Sequence, residues 1–173
     1  PDDTGYGDYA CLGNPVIHTP VVDAFQKESL LFTHFHVSPT CSPCRAALMS
    51  GRHEFKNGVT HTIGGRERMS LETYTLAQML KSDGYTTGIF GKWHLGDAAH
   101  YPENQGFDVN IGGTFWGCPP TFFYPYRGLF GEERELRYVP RLHFGRKGEY
   151  LTDRLTDEAL QIIDRDGDQP FFL

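Results

Sequence analysis

The sequence predicts an α/β fold, a mostly parallel or mixed sheet flanked by helices, from three observations. Residues 75–82 place Leu76, Met79 and Leu80 on one helical face; Gly84 follows as a stop, and Tyr85–Phe90 is then rich in β-formers up to Gly91. Residues 150–164 set Leu151, Leu155, Ala159, Ile162 and Ile163 at helical spacing, and the chain then runs into the apolar Phe171-Phe172-Leu173, which reads as a strand. Between helix and helix the strands end in glycine-marked loops, the order of an α/β sheet, whose sites collect beyond the carboxyl ends of strands.

Composition sets bounds. The 173 residues suit one ordinary domain, and 39% hydrophobic with 14% aromatic residues suffice for a core. A net charge of −6 argues against a nucleic-acid surface. No stretch is long and apolar enough to span a membrane, and four cysteines (Cys11, Cys41, Cys44, Cys118) are too few for a disulfide scaffold.

Taken in order, residues 1–18 are rich in Gly, Asp and Asn and read as loop. Thr19-Pro20 is an N-cap followed by proline at the first helical position, and Val21, Val22, Phe25 and Leu30 mark an amphipathic helix over 20–29. Leu31–Val37 is expected to be a strand, with His34 and His36 as two polar side chains on one face, since no acid or cysteine stands at metal-binding spacing to them. Cys41–Arg52 reads as a turn feeding a short helix: Pro43 fits a first turn, Ala46, Ala47, Leu48 and Met49 are helix formers, and Gly51 fits the left-handed end. Residues 53–73 are expected to be a polar surface loop, in which His61 or Arg66 are candidates to reach a ligand. Residues 97–148, with Trp116 and Phe122-Phe123-Tyr124-Pro125-Tyr126, are either an irregular packed excursion or part of a substrate cleft whose aromatic faces stack on sugar rings. Cys118 is expected to be a buried thiol, and Asp166-Gly167-Asp168 a turn.

The chemistry concentrates at two places. Cys41 just before a helix N-terminus, with Arg45 one turn along, packs a nucleophile, an anion-favouring helix end and a permanent cation into five residues. That combination suits attack on a sulfuryl or phosphoryl group. Lys92 and His94, in the loop after Tyr85–Phe90, offer a point charge for an anionic oxygen and a proton shuttle, with Trp93 turned away as an anchor. An extended backbone there would let both face one site. Asp2 and Asp3 are adjacent acids that either are solvated or bind a hard cation through oxygen. Cys41-x-x-Cys44 with Pro43 inside also matches a thiol–disulfide pair, although that reading explains neither Arg45 nor Lys92-x-His94.

Cys41-x-Pro43-x-Arg45, with the small-residue helix and Ser50-Gly51-Arg52 behind it, resembles the signature of the type I, formylglycine-dependent sulfatases. Asp2-Asp3 with Gly5-Tyr6-Gly7-Asp8, then Gly91-Lys92-Trp93-His94-Leu95-Gly96, then Pro170-Phe171-Phe172-Leu173 match further motifs in that family's order. The resemblance implies an alkaline-phosphatase-like fold in which residues 1–173 are part of a single large N-terminal catalytic domain. It implies hydrolysis of sulfate esters, on a sulfated carbohydrate or an aryl sulfate. Cys41 would be converted by a sulfatase-maturating enzyme to Cα-formylglycine, whose hydrated aldehyde is the nucleophile. Arg45 and Lys92 would hold the nucleophile and sulfate oxygens, His94 would move a proton, and Asp2 and Asp3, with residue 41, would hold calcium. The family's opening strand, a further metal-binding acid, a second His and a second Lys lie outside this sequence, so these 173 residues are expected to be inactive alone. An extracytoplasmic location is the family expectation. A phosphate or phosphonate ester hydrolase of the same superfamily is the alternative.

Overall fold

The computed structural model describes residues 2–165 and 167–173; Pro1 and the Asp166 of the expected turn lie outside them. The chain divides into two compact units, Pro1–Cys41 and Ser42–Leu173.

In the first unit, single 3₁₀ turns at Tyr6–Asp8 and Ala10–Leu12 precede helix α1, Pro20–Lys27. Thr19 stands before α1 as expected, but its hydroxyl does not cap the helix. It accepts from the Ala10 N–H at 3.0 Å and donates to Asp23 Oδ1 at 2.7 Å, while the Cys11 N–H also donates to Asp23 at 3.0 Å. Thr19 and Asp23 thus fasten the second 3₁₀ turn to the start of α1. The apolar face of the helix is open, with Val21 82% and Phe25 70% exposed. The strand expected over Leu31–Val37 does not form; the segment is irregular, and Phe32, Phe35 and Val37 are exposed. Alternation alone does not make a strand, because its N–H and C=O groups need a paired neighbour, and no described strand pairs with these residues.

The second unit is built on a parallel three-stranded sheet in the order β2-β1-β5, with β1 at Thr86–Phe90, β2 at Val109–Ile111 and β5 at Phe171–Phe172. The register pairs Gly88 with Val109 and Phe90 with Ile111 on one side of β1, and Thr86 with Phe171 on the other. Helix α2 is Cys41–Ser50, α3 is Leu76–Ser82 and α4 is Leu151–Arg165; an antiparallel hairpin joins β3, Arg127–Phe130, to β4, Glu135–Tyr138. The expected α/β class is therefore the observed one. Among the described residues no helix is long and apolar enough to cross a membrane.

Side-chain packing corrects several local expectations. Residues 53–73 are not merely a solvated loop: Val59 and Met69 are fully buried in the main core with Ala46, Ala77, Trp93, Leu95 and Phe107, and the Met69 N–H donates to the Leu95 carbonyl. Thr75 caps α3 and forms a capping box with Gln78, but the buried side chain of the helix is Ala77, whereas Met79 is exposed. Close approach decides this. A Cβ on Gly106 would come within 2.5 Å of the Gln78 backbone nitrogen, so the chain entering β2 lies directly on the first turn of α3. A second core of Tyr126, Leu142 and Leu151 lies under the hairpin and α4. Cys118 is half-buried, with the Arg137 guanidinium 3.8 Å from its sulfur.

Asp108 ties this unit together at the entrance to β2. It accepts from the Thr87 N–H at 3.1 Å and the Thr87 hydroxyl at 2.9 Å, and its other oxygen pairs with Lys81 of α3 at 2.5 Å. Burial works to raise the carboxyl, but the bonds from Lys81 and Thr87 outweigh it and hold Asp108 below the usual carboxylate range. Asp108→Asn is expected to lower stability near neutral pH by about 1 kcal/mol, a small value because Lys81 and Asp108 are partly open to solvent. The contribution is present above the ordinary carboxylate pKa and is lost as pH falls through the depressed one. Urea midpoints of the two proteins should therefore converge at acid pH.

Candidate active site

The second unit brings three of the expected residues together through one set of hydrogen bonds. Helix α2 grips the backbone of the loop after β1. The Ser42 hydroxyl donates to the His94 carbonyl at 2.8 Å, Arg45 Nε donates to the Trp93 carbonyl at 2.6 Å, and Arg45 Nη2 donates to the Lys92 carbonyl. Three successive carbonyls are thus held by two side chains one helical turn apart. Ser42 is fully buried, so its bond is shielded from water. Arg45 was expected only as a cation for the nucleophile and the anion; the structure adds a mechanical role, the guanidinium fork locking the loop.

Trp93 anchors the loop as expected. It is fully buried, its indole N–H donates to the His100 carbonyl at 2.7 Å, and its ring meets Phe107 edge-on at 5.9 Å. His94 is only 7% exposed. Its backbone is not extended, as the sequence reading assumed, but left-handed at φ 58°. Its N–H donates to the Thr114 carbonyl at 2.9 Å, and its Nε2 lies 3.0 Å from the Thr62 carbonyl. A carbonyl oxygen only accepts, so Nε2 carries the proton and Nδ1 is the ring's acceptor nitrogen. Burial, and then the charge of Lys92, push the His94 pKa down. The imidazole is accordingly neutral at neutral pH, the state that a proton acceptor requires.

Residues with no chemical signal in the sequence fix this ring. A Cβ on Gly117 would stand 2.6 Å from His94 Cε1 and 2.9 Å from Nδ1, so the 114–118 segment packs flat against the imidazole only because residue 117 is glycine. Ser42, Thr62 and Thr114 act through a hydroxyl or a backbone carbonyl, and their identity alone does not point to a site. His61 turns inward on its own loop, where its Nδ1 accepts from the Thr62 N–H, and Arg66 is exposed.

Asp2, Asp3 and Cys41 belong to the first unit. Cys41 is the first residue of α2 rather than the residue before it, and it is half-buried; Cys41 and Cys44 are not joined by a disulfide. Asp2 and Asp3 are both exposed, and Asp3 has a left-handed backbone at φ 52°. Two adjacent carboxylates are an all-oxygen donor set of the type that a hard cation such as calcium takes, but fewer than the six to eight oxygens that calcium gathers. Among the described residues no three His, Cys, Asp or Glu side chains are grouped to hold a metal. The pair thus fits calcium as part of a ligand set.

Comparison with known proteins follows this geometry. The Sulfatase family model matches residues 1–173. Human arylsulfatase D is 37% identical over 136 residues, which is 69% of this chain and 22% of that protein, so the chain spans about a fifth of the length of this relative. The crystal structure of Ps i-CgsB in complex with k-i-k-neocarrahexaose superposes with a TM-score of 0.77 at 28% identity, covering 99% of this chain and 42% of its own. BT4656 in complex with its substrate D-glucosamine-2-N,6-O-disulfate superposes at 0.69 and 26% identity, covering 98% of this chain and 31% of its own. Because the Sulfatase family model matches this chain over residues 1–173, the chain belongs to the sulfatase family.

Proposed function

We propose that the protein of which this chain is part hydrolyses sulfate esters, and that residues 1–173 contribute the nucleophile and half of its electrostatic setting to a single catalytic domain. The observation that carries the reading is the grip of Ser42 and Arg45 on the carbonyls of residues 92–94. It makes the helix behind Cys41 and the Lys92–His94 loop one rigid element, as pre-organised catalysis needs. The substrate's alcohol is a carbohydrate or an aryl group: one solved relative is in complex with k-i-k-neocarrahexaose, another with D-glucosamine-2-N,6-O-disulfate, and human arylsulfatase D is similar in sequence. An extracytoplasmic location goes with this reading.

Each residue then has a definite task. With Cys41 matured to formylglycine, the hydrated aldehyde would supply a hydroxyl, which the thiol lacks, to attack sulfur; the S–O bond to the alcohol would break, and loss of the proton from the remaining hydroxyl would expel sulfate and restore the aldehyde. Asp2 and Asp3 would contribute carboxylate oxygens to a calcium ion, which would supply positive charge to offset that of a sulfate group. The Lys92 ammonium draws a sulfate oxygen into place and offsets its charge. Arg45 adds a second permanent cation while its fork holds the loop. His94, neutral and with Nε2–H committed to Thr62, accepts a proton at Nδ1.

The test of maturation is the mass of the peptide carrying Cys41, from protein made in its native host. It should be lighter than the thiol form by the change of CH₂SH to CHO. A Cys41–Cys44 disulfide instead would support the redox reading. The full-length protein should turn over aryl sulfates faster than aryl phosphates or phosphonates, and the reverse order would assign it to the phosphate side of the superfamily. His94→Ala should lower kcat by about 10²–10⁴-fold, whereas residues 1–173 alone should show no turnover.

Gly117→Ala tests the packing around His94 separately. The added methyl must push the imidazole away, because it cannot fit within 3 Å of the ring. A displacement of that size is expected to lower kcat on the order of 10²-fold, with little change in KM. An unchanged kcat would mean that the ring's position does not matter to the reaction.

A further inference from the structure

The second unit carries a groove of about 670 Å³ that the proposed chemistry does not use, lined among others by Tyr124, Arg127, Tyr138, Val139, Arg141 and His143. Its size is that of a small-molecule site. No acidic side chain lines it, in a protein whose net charge is −6. Arg127 and His143 are exposed, and neither side chain has a hydrogen-bond or ion-pair partner among the described residues. Arg141 is anchored, with one nitrogen donating to the Asn110 carbonyl at 2.9 Å and another paired with Glu103.

The aromatic walls are held in place beforehand. Tyr138 is met edge-on by Trp116 at 5.2 Å, and Trp116 is itself fixed by an indole N–H bond to Glu135 at 3.0 Å. Tyr124 is met edge-on by Tyr126 at 5.7 Å; Tyr126 is fully buried and donates to Glu149 at 2.5 Å. Rigid aromatic faces beside the unpaired guanidinium of Arg127 and the imidazole N–H of His143 suit a ligand with both C–H-rich ring faces and anionic substituents.

The groove also abuts the catalytic loop's end of the sheet. A Cβ on Gly112 would meet Val139 of the groove at 3.1 Å and Gly91 at 3.5 Å, and Gly91 is the residue from which the Lys92–His94 loop departs. Ile111, paired with Phe90 at the carboxyl end of β1, packs under the same segment.

We propose that this groove binds a sulfated saccharide chain, with Tyr124 and Tyr138 facing sugar rings and Arg127 and His143 facing sulfate groups other than the one hydrolysed. The assignment of a sulfated ligand rests on the sulfatase reading above. The groove selects a carbohydrate over an aryl sulfate, since a single aryl ring would leave Arg127 and His143 without sulfate partners.

The experiment separates the two readings by measuring binding without turnover. Full-length protein carrying Cys41→Ala is titrated calorimetrically with a heparin hexasaccharide and with the same hexasaccharide chemically desulfated. The sulfated form should bind, and adding Arg127→Ala and His143→Ala should weaken it by about tenfold or more. Those two substitutions in the otherwise native protein should leave kcat/KM for a small aryl sulfate unchanged. Both side chains are exposed and unpartnered among the described residues, so folding is not at stake. Equal affinity of the double variant, equal binding of the desulfated sugar, or a matching loss on the aryl sulfate would each overturn the groove assignment. Groove-dependent binding with no sulfate-ester turnover by the native protein would leave the groove standing and remove the sulfatase reading.

Discussion

The site depends on one constraint: a loop that has no regular hydrogen bonding of its own must hold a lysine and a histidine still. The Lys92–His94 segment leaves β1 through Gly91 and enters no helix or strand, so its carbonyls need partners from elsewhere. Ser42 and Arg45 supply them from α2, and the Thr114 carbonyl takes the His94 N–H. Charged donors on neutral carbonyls are among the stronger hydrogen bonds, and here they act against a buried tryptophan that prevents the loop from lifting. The arginine that follows Cys41 by one helical turn is thus also the residue that fixes the loop carrying Lys92 and His94. Local sequence therefore couples two segments nearly fifty positions apart.

The histidine's chemistry follows from its enclosure. A solvated imidazole would exchange tautomers and titrate near neutrality. Burial favours the neutral ring, Lys92 adds repulsion against protonation, and the Thr62 carbonyl chooses which nitrogen holds the hydrogen. The charge of Glu67 works in the opposite direction, but it ranks below burial and Lys92 among the influences on the ring. The balance leaves a neutral imidazole beside the charge of Lys92, which is the arrangement that the proposed division of labour, the anion at Lys92 and the proton at His94, requires.

The fold was legible in the sequence where an element carries its own pattern. Helix α4, helix α3, and strands β1 and β5 all stand where periodicity and stop signals put them, while the capping role of Thr75 emerges from the structure. Strand β2 and the β3–β4 hairpin were hidden in an aromatic, glycine-rich stretch because three- and four-residue strands offer too few positions to show alternation. Leu31–Val37 failed for the converse reason: it has alternation but no paired neighbour. The site shows the same division. Cys41, Arg45, Lys92 and His94 announce themselves by residue type and spacing. Gly117, Thr62 and Thr114 do not, because their contributions are a missing methyl and backbone carbonyls, which any sequence could supply.

The position of the groove gives the sheet a second purpose. Parallel strands put their carboxyl ends on one side, so whatever follows β1 and whatever follows β2 must emerge as neighbours. After β1 comes the loop with Lys92 and His94; after β2 comes the excursion that carries the groove, with Arg127 and Tyr138 on its hairpin and Tyr124 and Arg141 on either side of it. Gly91 and Gly112 lie side by side at this junction, and a Cβ on Gly112 would crowd Val139 at 3.1 Å. A chain bound along the hairpin would therefore run toward the loop by geometry alone. Different contacts hold the two, since the loop is fixed by α2 and the hairpin segment packs on the core of Tyr126, Leu142 and Leu151.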